Sequence, residues 1–378
     1  MTMFLAALLG SGLACLLIVR YSHLHIRLTG DHVGNQPQKF HTTVVPRIGG
    51  VGIMVGLLFA GALSYLLEFG TAGFFWMILA VLIPAFLGGV AEDLTRRVGP
   101  SVRLLLTVIA AALAFKWLGA QLYRSDVSWL DALLAYGPVS FAATLFAVAG
   151  VAHAMNIIDG YNGLSSGVGI MSLLAMGIVS RTVHDPQLTA VCFATAGAYG
   201  GFLLFNYPVA RIFLGDGGAY LLGTVLAIVA ALLVARHVSV SPWFPLALLI
   251  YPIWETLFSA LRRLFLHRTH IGQPDARHLH SLIYRRVLRV VYPGNDVAAQ
   301  DIRNAATTAP LWGVQLILVF YAILHYQSTA ALVAEAFLFI GGYSAAYFWL
   351  NRLKRPVPTR LQRYLARRAR RRRRAQSL

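Results

Sequence analysis

Apolar runs close to twenty residues long recur along this chain from Met3 to Leu350, separated by short polar stretches, and no other feature constrains its fold as strongly. A helix needs about 20 apolar residues to cross the hydrocarbon of a bilayer. Inside that hydrocarbon each backbone N–H and C=O must find its partner within the segment, so such runs fold as helices. Hydropathy places them near residues 3–19, 48–67, 74–91, 102–120, 138–155, 165–182, 188–205, 217–235, 243–261, 308–325 and 330–350. The expected fold is an all-α polytopic membrane protein with about eleven transmembrane helices. Composition agrees, because 58% of residues are hydrophobic and only 12% charged, half the charged share of a water-soluble domain.

Charge sets the expected orientation. An odd number of spans puts the termini on opposite sides, and the tail carries Arg367, Arg368 and an unbroken run from Arg370 to Arg374. Positive-inside logic places that tail in the cytoplasm and the N-terminus outside. Every other loop then tests the assignment: of 32 Lys and Arg, only Lys116, Arg124, Arg181 and Arg236 fall on the outer side, near helix ends from which long side chains reach the interface. The net charge of +18 therefore reads as topology and contact with anionic lipid, with no nucleic-acid partner. The first run lacks a basic leader and a clear cleavage site, so it is expected to remain as a helix. Cys15 and Cys192 both lie in apolar runs and offer neither a disulfide framework nor a Cys-based metal site. The organisation is one membrane-embedded domain over 1–350 and an Arg-rich cytoplasmic tail over 351–378.

Five loops on the expected inner side carry unusual groupings. The first contains His41, Thr42, Thr43, Pro46 and Arg47 ahead of Gly49-Gly50, where proline fixes the chain and paired glycines permit close backbone approach. In the second, Glu92 and Asp93 are adjacent where a span emerges, followed by Arg96 and Arg97. Such carboxylates suit Mg²⁺, which takes one or two of them and leaves its other positions to water and phosphate oxygens; the plain alternative is an Asp paired with Arg96 or Arg97. The third runs from Asn156 through Asp159-Gly160 and Asn162-Gly163. One Asx-Gly pair means a turn, but two between spans point to a functional loop. The fourth holds Asn206 and Pro208 and leads through Gly215-Asp216-Gly217-Gly218 into another span. A carboxylate at membrane depth is a functional candidate unless a cation such as Arg211 pairs with it. The fifth, Pro274-Asp275-Ala276-Arg277-His278-Leu279-His280-Ser281, sits in a basic stretch over 261–291 that is expected to be partly helical. His278 and His280 lack the company of a zinc site and, beside Arg263, Arg268 and Arg277, suit phosphate better.

Taken together and in this order, these segments resemble the polyprenyl-phosphate N-acetylhexosamine-1-phosphate transferases of glycosyltransferase family 4, over residues 46–281. The resemblance implies transfer of a sugar 1-phosphate from a UDP-N-acetylhexosamine to undecaprenyl phosphate with release of UMP. It implies Mg²⁺ as cofactor, with Mn²⁺ as a substitute, and a bacterial inner-membrane enzyme whose active site faces the cytoplasm. By the same resemblance Asp93, Asp159 and Glu92 are catalytic candidates, and Asp216 with Asp93 the metal candidates. Arg47, Asn156, Asn162, Asn206, Arg277, His278 and His280 are the substrate-binding candidates. Glu92, Asn162 and Ser281 stand where the family commonly has Asp, Asp and His. Three other readings compete: a phospho-N-acetylmuramoyl-pentapeptide transferase of peptidoglycan synthesis, a transporter, and an inactive lipid-binding scaffold. A homodimer is compatible with the resemblance, but no heptad or small-xxx-small pattern marks its interface.

Overall fold

The fold is that of a computed structural model, which describes residues 1–31, 44–267, 277–294 and 296–352. The Arg-rich run, His41 to Thr43, Arg268 and the Pro274-Asp275-Ala276 part of the fifth segment lie outside the described residues.

The described chain is almost entirely helical. In order it forms α1 (Thr2–Arg20), α2 (Ser22–Thr29), α3 (Gly49–Leu66), α4 (Ala72–Thr95), α5 (Pro100–Leu113), α6 (Ser128–Leu134), α7 (Gly137–Ile158) and α8 (Leu164–Thr182). There follow α9 (Pro186–Asn206), α10 (Gly215–Arg236), α11 (Trp243–Leu248), α12 (Ile250–Arg262), α13 (Leu279–Leu282), α14 (Arg289–Val291), α15 (Val297–Leu324) and α16 (Thr329–Arg352). Two short strands, β1 (Gly30–Asp31) and β2 (Val45–Pro46), pair antiparallel. Ten helices among the described residues are long and apolar enough to cross a membrane, so the protein is an all-α polytopic membrane protein.

The ninth expected span, 243–261, is not one helix. It breaks at Leu249 into α11 and α12. Pro252 has no N–H to give the carbonyl four residues earlier, and its ring crowds that carbonyl. The Leu248 oxygen is satisfied instead from other helices, by Gln315 Nε2 at 2.8 Å and Ser172 Oγ at 3.2 Å. The next helix also departs from expectation. α15 begins at Val297, about three turns before the apolar run at 308, because its polar first turns pack on another loop through Asn304 and Thr308.

α10 lies at the centre, with nearly all its residues buried and α3, α4, α7 and α8 packed around it. A helix apolar on every side is one surrounded by protein. The peripheral helices expose rows of large apolar side chains, among them Leu5, Leu9 and Leu13 on α1 and Phe337 and Leu338 on α16. This is the surface that a lipid-immersed bundle presents.

Candidate active site

The first turn of α10 is the pivot of the site. Gly215 enters it at φ +74, and a Cβ there would collide with the Asp93 carboxylate and the Arg47 carbonyl. Gly50 and Gly89 let α3 and α4 close in, since a side chain at either would overlap the backbone of residues 216–218. The expected close approach of the paired glycines is thus met against α10. Gly49 and Gly50 donate their N–H groups to the carbonyls of Phe213 and Leu214, each at 2.9 Å, and Phe213 N–H donates to Pro46 at 2.8 Å. Asp93, at the end of α4, accepts from Asp216 N–H through Oδ1 and from Gly217 N–H through Oδ2, both at 2.9 Å. The opening amides of a helix have no partner within it. Here a carboxylate from another helix supplies one, the job a side-chain cap does locally.

This fixes the Asp216 carboxylate among donors from three further elements. Arg47 Nη2 donates to its Oδ1 at 3.1 Å and Asn156 Nδ2 to the same oxygen at 3.3 Å, while Arg103 Nη1 on α5 pairs with Oδ2. Arg47 Nε also reaches Asp93 Oδ1 at 3.2 Å, so one guanidinium ties both carboxylates together. The cations are not the sequence-local ones. Asp216 pairs with Arg47 and Arg103 rather than Arg211, and Asp93 with Arg47 rather than Arg96 or Arg97. Arg96 instead donates to the Gly30 carbonyl. Glu92 accepts from Val98 N–H at 2.9 Å and closes the exit turn of α4, so only Asp93 of the acidic pair joins the cluster. Behind Arg103 lies the Tyr220 ring, 5.7 Å from the guanidinium carbon, with His153 Nδ1 at 3.4 Å from the Tyr220 hydroxyl.

The loop after α7 contributes unequally. Asp159 keeps some accessible surface, but its carboxyl is crowded by protein. That desolvation, reinforced by the negative charges of Asp216 and Asp93, pushes its pKa up to about 8. Asn162 uses its groups on the protein: its N–H donates to Asn304 Oδ1 at 2.8 Å and its Nδ2 to the Pro208 carbonyl at 3.0 Å, while its carbonyl accepts from Thr308 Oγ1 at 2.8 Å. Asn206 likewise accepts from Gly163 N–H at 2.6 Å and donates to the Ile212 carbonyl at 2.8 Å. In this arrangement both asparagines brace the loops that present Asp159 and Asp216.

The histidine segment arrives from the other side. Arg277 is exposed at its edge, whereas His278 and His280 are buried, their rings stacked 5.2 Å apart at 13°. His280 Nε2 lies 3.6 Å from where a side chain on Gly160 would begin, which places it against the Asp159-Gly160 turn. Beneath both rings is Glu255 of α12, fully buried, its Oε1 at 2.9 Å from His278 Nδ1. The five segments therefore meet at one end of the bundle. Glu255, Arg103, His153 and Asn304 complete the cluster without having been expected. Glu255 carried a usable signal, a lone acid inside an apolar run; Arg103 falls at the start of the expected 102–120 span.

The donor chemistry fits magnesium in a limited sense. Among the described residues no group of three or more His, Cys, Asp or Glu side chains is placed to hold a metal by itself. Mg²⁺ asks for less, one or two carboxylates with substrate phosphate and water completing its shell. Asp216 and Asp159 offer hard oxygens, and the negative charges of Asp216 and Asp93 that add to the burial of Asp159 are ones a cation would relieve.

Known proteins are similar to the chain in sequence. A sequence profile described as Glycosyl transferase family 4 matches residues 75–234, from within α4 to within α10. The chain is 25% identical over 313 residues, 79% of its own length and 84% of the relative's, to a probable undecaprenyl-phosphate N-acetylglucosaminyl 1-phosphate transferase of Bacillus subtilis (strain 168). It is 27% identical over 256 residues, 66% of its length and 67% of the relative's, to the undecaprenyl-phosphate alpha-N-acetylglucosaminyl 1-phosphate transferase of Escherichia coli (strain K12). The enzyme of that name in Salmonella typhi is 26% identical over 304 residues, 76% and 80% of the two lengths.

Proposed function

We propose, from the premise that the chain belongs to glycosyl transferase family 4, that it transfers N-acetylglucosamine 1-phosphate from UDP-N-acetylglucosamine to undecaprenyl phosphate and releases UMP. The relatives' names support this acceptor and this sugar over the muramoyl-pentapeptide donor. The product would be the lipid-linked start of a surface polysaccharide, made at the cytoplasmic face of a bacterial inner membrane.

One observation carries the reading. Two anions must approach each other in this reaction, and at one end of the bundle Arg47, Arg103 and the segment of His278 and His280 converge from three parts of the chain on Asp216 and Asp159. An oxygen of the lipid phosphate attacks the sugar-linked phosphorus in line; the bond to the bridging diphosphate oxygen breaks, and that oxygen leaves with UMP. Cationic side chains held in place beforehand stabilise the charge that builds on the phosphoryl oxygens. Mg²⁺, held by Asp216 with Asp159 beside it, would neutralise diphosphate oxygens and make the sugar-linked phosphorus more electrophilic. Arg47 and Arg103 reach the same carboxylate that would hold the cation, and each can swing a donor toward phosphate. Burial pushes the Asp159 pKa up to about 8, so its carboxyl holds a proton more readily than an ordinary one and presents less negative charge to an arriving phosphate. Asp93 acts as a brace, since both its oxygens already accept from the α10 amides. For that reason we favour direct attack over a phosphorylated Asp93 intermediate.

The test is UMP release by the purified protein from a panel of UDP-sugars, with undecaprenyl phosphate and with or without Mg²⁺. Release that requires UDP-N-acetylglucosamine, lipid and metal together, and that disappears in Asp216→Asn, is the expected result. Release with no UDP-sugar would remove the proposal. A phosphorylated protein formed with UDP-sugar alone, and chased onto lipid, would replace direct attack by a covalent route.

A further inference from the structure

Glu255 lies in the α12 half of the broken span, fully buried in an otherwise apolar stretch. A carboxylate at that depth is costly unless a positive or donating group answers it. Its neighbours are the two histidines. Oε1 is 2.9 Å from His278 Nδ1 and 3.3 Å from Leu279 N–H, and Oε2 is 3.9 Å from His280 Nδ1, with the Tyr343 hydroxyl also against the carboxylate. Ser259 Oγ, one turn further along α12, is 3.1 Å from His278 Nδ1, and Tyr251 Oη, one turn before, is 3.4 Å from His280 Nδ1. One face of α12 thus addresses the Nδ1 edge of both rings. The Nε2 edge is opposite across the ring, and for His280 it faces Gly160 beside Asp159.

We propose that Glu255 is a positioning residue of the transfer reaction, holding His278 and His280 by their Nδ1 edges so that both Nε2 atoms stand ready for diphosphate oxygens. The inference rests on the reading that the histidines meet the diphosphate. The carboxylate performs two tasks that a packing residue would not. It accepts the Nδ1 proton and so fixes each ring's orientation, and it stabilises the imidazolium, in which Nε2 also carries a proton to donate to a diphosphate oxygen. The stacked rings make this necessary, since two adjacent imidazoles of positive character repel unless an anion lies beneath them. The Pro252 break contributes as well. It lets α12 leave the line of α11 and carry Glu255 under a segment that lies beyond the apolar run.

The test is a double-mutant cycle on UMP release in the intact protein. Glu255→Gln alone is expected to lower kcat on the order of 10- to 100-fold, the range found when a residue orienting a functional histidine is removed, with KM for undecaprenyl phosphate within about twofold. Added to His278→Ala, the same change is expected to cost no more than about threefold further, because its main route of action is already gone. Glu255→Asp, which keeps the charge, is expected to recover part of the loss. Losses that multiply, or equal losses in the Gln and Asp variants, would overturn the role and leave the activity standing. A wild-type protein that releases no UMP would remove the activity and the role together. If Glu255→Gln does not survive purification, Glu255→Asp takes its place in the cycle and is judged by the same rule.

Discussion

The two ends of the helical bundle both carry aspartate–arginine pairs, and they use them differently. At the end opposite the site, Asp185 accepts from Leu188 N–H at 2.9 Å and caps α9, with Arg236 and His237 each at 3.1 Å from its Oδ2. Nearby, Arg124 pairs with Asp126 at 3.5 Å and donates to the Val238 carbonyl at 3.0 Å. These contacts close turns between neighbouring helices. At the site end, carboxylates from α4, α10 and the loop after α7 come within one electrostatic neighbourhood, Arg47 just after β2 and Arg103 of α5 answer them, and Glu255 of α12 lies against the histidine segment. Charge at the far end is balanced locally. At the near end burial, reinforced by the charges of Asp216 and Asp93, drives Asp159 to a pKa of about 8, a state useful for binding and costly for folding.

Substitutions can break that contrast. Asp216→Asn should remove activity by at least about a thousandfold, as expected for a residue at the reacting charges. Asp185→Asn should leave specific activity within about twofold and lower the thermal midpoint by about 1–2 kcal/mol worth of stability. Activity assays and melts on the same preparations separate the two ends, and equal losses of activity would end the comparison. Next in size, Asp93→Asn should cost on the order of 100-fold in activity and also stability, because Arg47 loses its counter-charge and one of the two α10 amides meets an NH₂ donor in place of its acceptor. A large loss of activity with no change in melting would instead give Asp93 a direct part in the chemistry.

Asp159 sharpens the contrast through pH. Its folded-state pKa, about 8, is above the ordinary 3.8, so between these values the folded protein holds a proton that the unfolded chain releases. Stability from this group is therefore full below about pH 4 and is lost progressively as pH rises toward 8. Asp159→Asn should abolish that decline, visible as a smaller difference in melting temperature between pH 6 and pH 9. A variant with the wild-type difference would show that the group titrates normally. The smallest effect is expected for Glu92→Gln, no more than a fewfold in UMP release, since Glu92 closes a turn rather than joining the cluster. A loss as large as that of Asp93 would restore the acidic pair as one unit.

Much of this architecture was legible in the chain. Apolar length gave the helices, and the four cations expected on the outer side are found at or near helix ends opposite the site, with Arg124 and Arg236 in the contacts just described. Segment order gave the candidate site. The errors have local causes. Hydropathy averages over Pro252 and so saw one span where proline makes two helices, and it missed the polar turns of α15 that pack on the 159–163 loop. Asn162 and Asn206 entered as substrate-binding candidates by resemblance, and the structure adds the contacts they make within the protein. Their partners, Asn304 and the carbonyls of Pro208 and Ile212, are tertiary neighbours that no motif contains.

By itself, then, the sequence determined that this protein is a membrane-spanning helical bundle whose unusual polar residues fall between particular spans. Hydrocarbon enforces that outcome residue by residue, through backbone hydrogen bonding and the cost of buried charge. Only the tertiary structure decided which charge answers which. Arg47 rather than Arg96 reaches Asp93, Arg103 rather than Arg211 reaches Asp216, and Glu255 lies under His278 and His280. Pairings of this kind depend on distances of a few ångströms between helices far apart in the chain, and sequence spacing carries no record of them.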